Sequence, residues 1–279
     1  MKRKIHSVFA VALLSSCFIF PACSDSESNS PNEPAGIDSS TSAESPDSQA
    51  SGEPAYNIPL DTSGFADIQA VYQSIQPNER ALFIVRHGDR EPSVKKESAL
   101  TDRGVEQALS VGQKLTGDEE FNYLSTDFVR TKETCHNIAI GRGQTTFPYD
   151  TNNTFTSSAW ILDKDKVTEY NSLDGNNSNI VISQWAYTGE YADAFNNLKE
   201  TSESIISNTF QATQGRITVI CSHDEFIVPL VAYLTDGKAD VKAYETRKWL
   251  YYLAGVAIII DENGSRRAYA IRGLDKGTT

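Results

Sequence analysis

Short apolar runs alternate with amphipathic stretches along residues 57–279, and this alternation is the strongest constraint on the fold of the chain. The runs 81–85 and 216–221 are typical of strands that are buried on both faces. Residues 121–125 are a further candidate strand, and 255–261 and 267–271 are two closing strands. The pattern predicts an α/β fold, a three-layer α/β/α sandwich with a mostly parallel central sheet.

The segments between the strands divide into amphipathic stretches and one polar region. Apolar residues at helical spacing predict helices over 66–76, 102–115, 129–140, 191–210 and 226–234. A short apolar run predicts a strand over Asn179–Ser183. The Asn-, Thr- and Ser-rich region from Gly141 to Trp185 is expected to be an insertion that covers the site, and the three tryptophans are expected to be packing residues: Trp160, Trp185 and Trp249.

Residues 1–23 have the organisation of an export signal, with a positive start and an apolar run over 8–20. The run is too short for a membrane-spanning helix, which needs about 20 apolar residues. We expect lipidation at Cys23, because cleavage at the rival Cys17 would leave 18–20 exposed. The chain is therefore predicted to be a bacterial outer-membrane lipoprotein, held to the membrane by its lipid and facing the periplasm or the cell surface. Plain secretion without a lipid is the alternative.

Residues 24–56 are acidic and rich in Ser and Pro, with almost nothing to bury, so they are predicted to be a disordered tether. Residues 57–279 are long enough for one catalytic domain with a substantial core. The formal charge of −12 becomes −15 once Lys2, Arg3 and Lys4 leave with the signal. Such a chain is a poor partner for nucleic acid, because non-specific binding depends on Lys and Arg at the phosphates.

The cysteines and histidines of the domain do not suggest a metal site. Cys135 and Cys221 could pair in an oxidising compartment, but both lie in apolar contexts typical of buried free thiols. The domain has no CxxC and no His-x-His, so no metal and no cofactor is expected.

Three polar segments, 86–92, 125–131 and 222–225, each follow a predicted strand. The carboxyl ends of strands are where open α/β sheets bind their ligands. Folding would therefore gather arginines, histidines and one acid in a single crevice: Arg86, Arg90, Arg130, His87, His223 and Asp224.

That set of side chains suits phosphoryl transfer. Guanidinium groups match phosphate oxygens bidentately, so a cluster of them predicts an anion site. Positive neighbours lower the pKa of an imidazole, which keeps it neutral as a nucleophile must be. Asp224 can protonate a leaving alkoxide, and Gly88 permits a close backbone approach beside His87.

The motif Arg86-His87-Gly88-x-Arg90-x-Pro92, with the later His223-Asp224, resembles the histidine phosphatase superfamily and in particular its acid phosphatase and phytase branch. The resemblance implies that His87, Asp224, Arg86 and His223 are catalytic. It implies a phosphohistidine on His87, with Asp224 as the proton donor. Phosphate would be bound by the positions that match the family pocket: Arg86, Arg90, Arg130 and His223. The length of the domain is closer to the phosphoglycerate mutase-like branch, which implies a fold of that kind with a reduced helical cap.

These observations predict a metal-independent phosphoric monoester hydrolase of the histidine acid phosphatase type, acting on a small-molecule phosphomonoester. Two alternatives remain open at this point. One is a mutase-type phosphoryl transferase, which is less suited to an exported chain. The other is a surface lipoprotein that binds phosphate or phosphoesters without turnover.

Overall fold

The structure is a computed structural model that describes residues 57–93, 95–175 and 177–276. The predictions for residues 1–56, namely the export signal, the lipidated Cys23, its rival Cys17 and the acidic tether, lie outside the described residues. Within the described ranges, no helix combines the length and the apolar character needed to cross a membrane.

A seven-stranded sheet forms the centre of the described fold. Its strands are β1 (Ala66–Asp67), β2 (Arg80–Arg86), β3 (Phe121–Ser125), β4 (Tyr149–Thr151), β5 (Ile217–Ser222), β6 (Ala254–Ile260) and β7 (Arg266–Arg272). They lie in the order β1-β7-β6-β2-β5-β3-β4. All pairs are parallel except β2 with β6 and β6 with β7, so the sheet is mostly parallel, as predicted.

Helices cover both faces of this sheet. They are α1 (Ile68–Gln73), α2 (Asp102–Lys114), α3 (Val129–Gly141), α4 (Lys164–Leu173), α5 (Ser178–Thr188), α6 (Leu198–Ala212) and α7 (Asp224–Leu234). Apolar residues of α1, α2 and α3 share one core cluster with the sheet. The residues of α5, α6 and α7 form a second cluster, against which α4 packs. The predicted three-layer α/β/α sandwich is therefore confirmed.

Alternation of side chains along β2 explains why this strand is apolar from Ala81 to Val85. Phe83 and Val85 point into the cluster with α1 to α3, whereas Leu82 and Ile84 point into the opposite cluster. Each of these side chains is at most 1% exposed. A strand covered on both faces lacks the usual alternation of apolar and polar residues. The sequence therefore does not show which of its side chains face which helical layer.

The strand predicted over Asn179–Ser183 is wrong, because these residues belong to α5. A short apolar run fits a buried strand and a buried helix equally well. Here Asn177 caps the helix by accepting a hydrogen bond from the backbone N–H of Asn179, and Gly189 ends it at a φ of 77°. Val181 and Trp185 pack into the core on one face of α5.

The single helix predicted over 191–210 is also wrong in its first part. Tyr191 has a φ of 62°, which is incompatible with a continuing helix. The helix α6 begins at Leu198, after Asn197 accepts a hydrogen bond from the backbone N–H of Glu200. Phe195, at the apolar spacing that suggested a helix, instead stacks on Trp185 with ring centroids 4.5 Å apart.

The order of the central strands decides which segments meet at the edge of the sheet. Strands β2, β5 and β3 are adjacent and parallel, with Arg86 opposite Ser222 and Ser125 opposite Cys221. Their carboxyl ends therefore lie side by side. Strand β6 runs antiparallel to β2, with Gly255 opposite Val85, so the residues that precede β6 arrive at the same edge.

Candidate active site

A cavity of about 530 Å³ opens at the carboxyl ends of β2, β5 and β3. The six side chains that the sequence predicted to converge all line it: Arg86, His87, Arg90, Arg130, His223 and Asp224. The other lining residues are Phe128, Thr156, Ser157, Asn179, Glu225 and Trp249. The structure thus brings together every predicted site residue that falls in the described part of the chain, while the predicted lipidation site Cys23 lies outside it.

His87 follows β2 directly and is only 3% exposed. Its Nδ1 lies 2.8 Å from the carbonyl oxygen of Gly88. A carbonyl only accepts hydrogen bonds, so Nδ1 carries the proton and the lone pair of the neutral ring is on Nε2. Burial and the charge of Arg86 lower the pKa of His87 well below its ordinary value. The ring is therefore a neutral imidazole with a defined nucleophilic atom.

Gly88 is required by a close backbone approach to the start of α2. A Cβ at this position would lie 2.8 Å from the carbonyl oxygen of Gly104. Conversely, a Cβ on Gly104 would lie 1.9 Å from the carbonyl oxygen of Asp89. The backbone N–H of Gly88 donates to the Thr134 hydroxyl at 3.0 Å. These contacts hold the segment after β2 against α2 and α3, and so fix the position of His87.

Asp224, the first residue of α7, is bound to a cation and to an indole. Its Oδ2 lies 2.8 Å from Nη2 of Arg86 and accepts a hydrogen bond of 2.9 Å from Nε1 of Trp249. Burial alone would raise the pKa of Asp224, but the charge of Arg86 and the Trp249 hydrogen bond outweigh it and lower the pKa below its ordinary value. Without a ligand, the carboxyl group is therefore ionised at neutral pH.

Trp249 is a site residue that the sequence analysis missed, since it was expected to be a packing residue. It precedes β6, and it reaches the site because β6 pairs antiparallel with β2. In the same loop, Leu250 provides a backbone carbonyl that accepts a hydrogen bond from Arg86, and Tyr252 places its ring 4.4 Å below that guanidinium. The sequence contains no local signal for this position, because the pairing of β6 with β2 is a tertiary contact.

The guanidinium group of Arg130 is buried, that of Arg86 is partly buried, and both are incompletely paired. The Nε of each has no hydrogen-bond partner among the described residues. Arg130 donates to the carbonyl oxygen of Lys95 at 3.1 Å and stacks over Phe128 at 4.4 Å. Burial and the charges of Arg90 and Arg86 lower its pKa to about 10. Such a cluster is costly unless an anion binds to it.

Arg90 lies at the rim of the cavity. It donates to the backbone carbonyl oxygens of Glu91 and Ser93 at 2.9 and 2.7 Å through one nitrogen, Nη1. These bonds orient the guanidinium, and its other nitrogens are not used in them. A phosphate in the cavity would therefore meet a guanidinium that is already held in place.

His223 lies beside His87, and the centroids of the two imidazole rings are 5.6 Å apart. Its Nε2 is 3.0 Å from the hydroxyl of Thr126, and Phe128 packs against its ring at 4.7 Å between centroids. Burial and the charge of Arg130 lower the pKa of His223 to about 4. Both histidines are thus neutral at neutral pH, and His223 can offer one ring nitrogen to a ligand.

Other polar residues near the site differ in whether they line the cavity. The polar region 141–185 supplies Thr156, Ser157 and Asn179 to the cavity wall. Asp127 is paired with Lys132 and Lys96, which lower its pKa to about 2, and it does not line the cavity. His136 packs against Phe147.

The two cysteines of the domain do not line the cavity. Cys135 and Cys221 are both free and buried. Throughout residues 57–93, 95–175 and 177–276, no cluster of His, Cys, Asp or Glu has the makings of a metal site. The groups at the cavity are instead those of a nucleophile, an anion pocket and an acid.

We predict that inorganic phosphate binds in this cavity and that Arg90→Gln weakens its affinity about 10- to 100-fold, because a charge-assisted hydrogen bond contributes about 1.5–3 kcal/mol. The Kd is measured by calorimetry on the purified protein. The matched control is Arg266→Gln, which makes the same charge change at the opposite edge of the sheet, where Arg266 pairs with Glu203. Equal losses in the two variants would contradict a local phosphate site.

Comparison with known proteins identifies the family to which the sequence belongs. The family profile described as "Histidine phosphatase superfamily (branch 1)" matches residues 82–267, which is well over half of the chain. The sequence motif suggested the acid phosphatase and phytase branch, and that finer assignment stays a prediction. Among curated proteins, no sequence matches this one.

Three solved structures illustrate the similarity. A phosphoglycerate mutase from Bacillus anthracis is 17% identical, with 69% of this chain and 92% of that chain covered and a TM-score of 0.47. Bacillus stearothermophilus YhfR is 17% identical, with 71% of this chain and 98% of that chain covered and a TM-score of 0.47. A phosphoserine phosphatase from Entamoeba histolytica is 18% identical, with 68% of this chain and 94% of that chain covered and a TM-score of 0.45. Similarity at this level says nothing about the reaction, but the family match is sufficient on its own: the chain belongs to the histidine phosphatase superfamily.

Proposed function

We propose that the protein is a metal-independent phosphomonoesterase that transfers the phosphoryl group of its substrate to Nε2 of His87. The observation that carries the proposal is the state of His87: a buried neutral imidazole whose proton is held on Nδ1 by the carbonyl of Gly88. Its Nε2 therefore has a free lone pair, inside a cavity that also holds incompletely paired guanidinium groups. A neutral nucleophile surrounded by anion-binding groups suits attack on a phosphate ester.

The reaction has two steps. In the first, Nε2 of His87 attacks phosphorus, the bond from phosphorus to the ester oxygen breaks, and Asp224 gives its proton to the leaving alkoxide. In the second, water attacks the phosphohistidine, Asp224 accepts the proton of that water, and inorganic phosphate leaves while His87 is restored. Arg86, Arg90 and Arg130 stabilise the charge on the phosphoryl oxygens in both steps.

The ionised state of Asp224 in the unliganded site determines the pH dependence. Its pKa is lowered by Arg86, so the acid form needed in the first step becomes scarcer as pH rises. The pKa of His87 is lowered as well, so the nucleophile stays neutral into the acidic range. Both shifts favour activity at acidic pH. A phosphate monoanion that binds beside Asp224 also brings a proton to the site.

The pair His223-Asp224 supports the histidine acid phosphatase type within the superfamily. In that reading the proton donor directly follows the second histidine, at the start of α7. Here the donor is bound to both Arg86 and Trp249, which hold its carboxyl group at the cavity wall.

We expect His87→Ala to lower turnover of p-nitrophenyl phosphate by at least about 10³-fold, because the covalent route is lost with the nucleophile. Release of p-nitrophenol is measured at about pH 5 without added metal. The matched control is His136→Ala, since His136 is the histidine that packs against Phe147 outside the cavity. Undiminished activity in His87→Ala would exclude the covalent mechanism. Binding of phosphate without turnover by the unmodified protein would favour the non-catalytic alternative.

Asp224→Asn tests the proton donor through the leaving group. We expect the first turnover of glycerol 3-phosphate to slow by about 10²–10⁴-fold, because an alkoxide must be protonated as it leaves. The pre-steady-state burst of p-nitrophenol should slow far less, because p-nitrophenolate leaves without a proton. The unmodified protein should lose activity on the alkyl ester between pH 5 and pH 8, and this slope should be shallower for Asp224→Asn. Equal losses for both esters would argue against Asp224 as the acid.

We also propose that the chain is exported and lipidated at Cys23, with residues 24–56 as a tether to the domain. The support is the sequence alone: the positive start, the short apolar run and the small residues before Cys23. Labelling of the expressed protein with radioactive palmitate should be lost in Cys23→Ala and kept in Cys17→Ala. The reverse pattern would move the lipid to Cys17, and no labelling in the unmodified chain would favour plain secretion.

A further inference from the structure

Six of the residues that line the cavity are assigned neither to the nucleophile, nor to the phosphate, nor to the acid. They form the remaining wall and are aromatic or uncharged polar, apart from one carboxylate: Phe128, Thr156, Ser157, Asn179, Trp249 and Glu225. Every positive side chain among the described residues that line the cavity is one of the arginines already assigned to phosphate. The space for the alcohol part of a substrate therefore contains a negative charge and no further cation.

Glu225 is held in this wall by its neighbours. It is the second residue of α7, and its Oε1 accepts a hydrogen bond of 2.5 Å from the hydroxyl of Ser178. Ser178 is the first residue of α5, so the carboxylate faces the positive end of that helix. In the described ranges, Glu225 takes part in no ion pair. Its charge is thus oriented but not neutralised by a cationic side chain.

We infer that this wall makes the site selective for phosphate esters of uncharged, hydroxylated alcohols, such as sugars or polyols, and that Glu225 rejects esters whose alcohol part carries a carboxylate. The inference rests on the proposed phosphatase function. Hydroxyl groups of the alcohol can bond to Asn179, Ser157 and the carboxylate of Glu225, while the rings of Trp249 and Phe128 cover its carbon atoms. A second carboxylate would meet Glu225 with no cation left to pair it.

The test compares two esters of the same length, glycerol 3-phosphate and 3-phosphoglycerate, which differ in a hydroxymethyl group and a carboxylate. We expect kcat/KM of the full chain to favour glycerol 3-phosphate by about tenfold or more, because like charges in an enclosed site repel strongly. The Glu225→Gln variant keeps an acceptor for Ser178 but loses the charge, and it should reduce this ratio to within about threefold. The change should appear mainly in KM for 3-phosphoglycerate.

The matched control is Glu262→Gln, which removes one negative charge from the turn between β6 and β7, at the opposite edge of the sheet. It should leave the ratio unchanged. If Glu225→Gln does not fold, the ratio in the unmodified protein is measured against salt, and discrimination by charge should shrink as ionic strength rises. Equal use of the two esters, preference for 3-phosphoglycerate, or a ratio that neither Glu225→Gln nor salt changes would overturn the inference.

Two further measurements separate this inference from the proposed function. Turnover of p-nitrophenyl phosphate, which has no charged group beyond the phosphate, reports on catalysis alone. The Kd of each ester for the His87→Ala variant reports on selectivity without turnover. A failure of catalysis therefore still leaves the selectivity measurable, and equal affinities of the two esters for that variant would overturn the inference by themselves.

Discussion

The parallel register of β2, β5 and β3 is the constraint on which the site depends. Because Arg86 lies opposite Ser222 and Ser125 opposite Cys221, the three segments that follow these strands leave the sheet at one edge. Successive side chains of these strands pack alternately into the two core clusters. A slip of one residue would turn each side chain into the opposite cluster, so the packing of the two clusters specifies the register. The position of the nucleophile is thus determined by the same packing that stabilises the domain.

In the absence of a ligand, the positive charges at this edge of the sheet are only partly neutralised. Asp224 neutralises Arg86, but Arg130 remains buried with a lowered pKa and with an Nε–H that no described residue accepts. Burial, together with the same positive surroundings, lowers the pKa of His87 and His223 and keeps both uncharged. A bound phosphate would pair the free donors at this edge. The free-energy cost of burying the incompletely paired Arg130 would be offset when the anion binds.

The sequence was sufficient to predict the layers and the six converging side chains, because both follow from local patterns: buried strands, helical periodicity and polar residues immediately after strands. It was insufficient where the outcome depended on tertiary contacts. The apolar run at 179–183 is a helix that packs against α7, and periodicity cannot distinguish this from a buried strand. Trp249 reaches Asp224 only through the antiparallel pairing of β6 with β2, which the sequence does not display.

The most direct test of the account is the position of the phosphoryl group on the trapped enzyme. The protein is mixed briefly with a phosphate ester, denatured in alkali and digested, and the labelled peptide is examined by ³¹P NMR and mass spectrometry. Because the Gly88 carbonyl holds the proton of His87 on Nδ1, the account predicts phosphohistidine at Nε2 of His87. A phosphoryl group on Nδ1 or on another residue, or turnover without any phosphoenzyme, would contradict it.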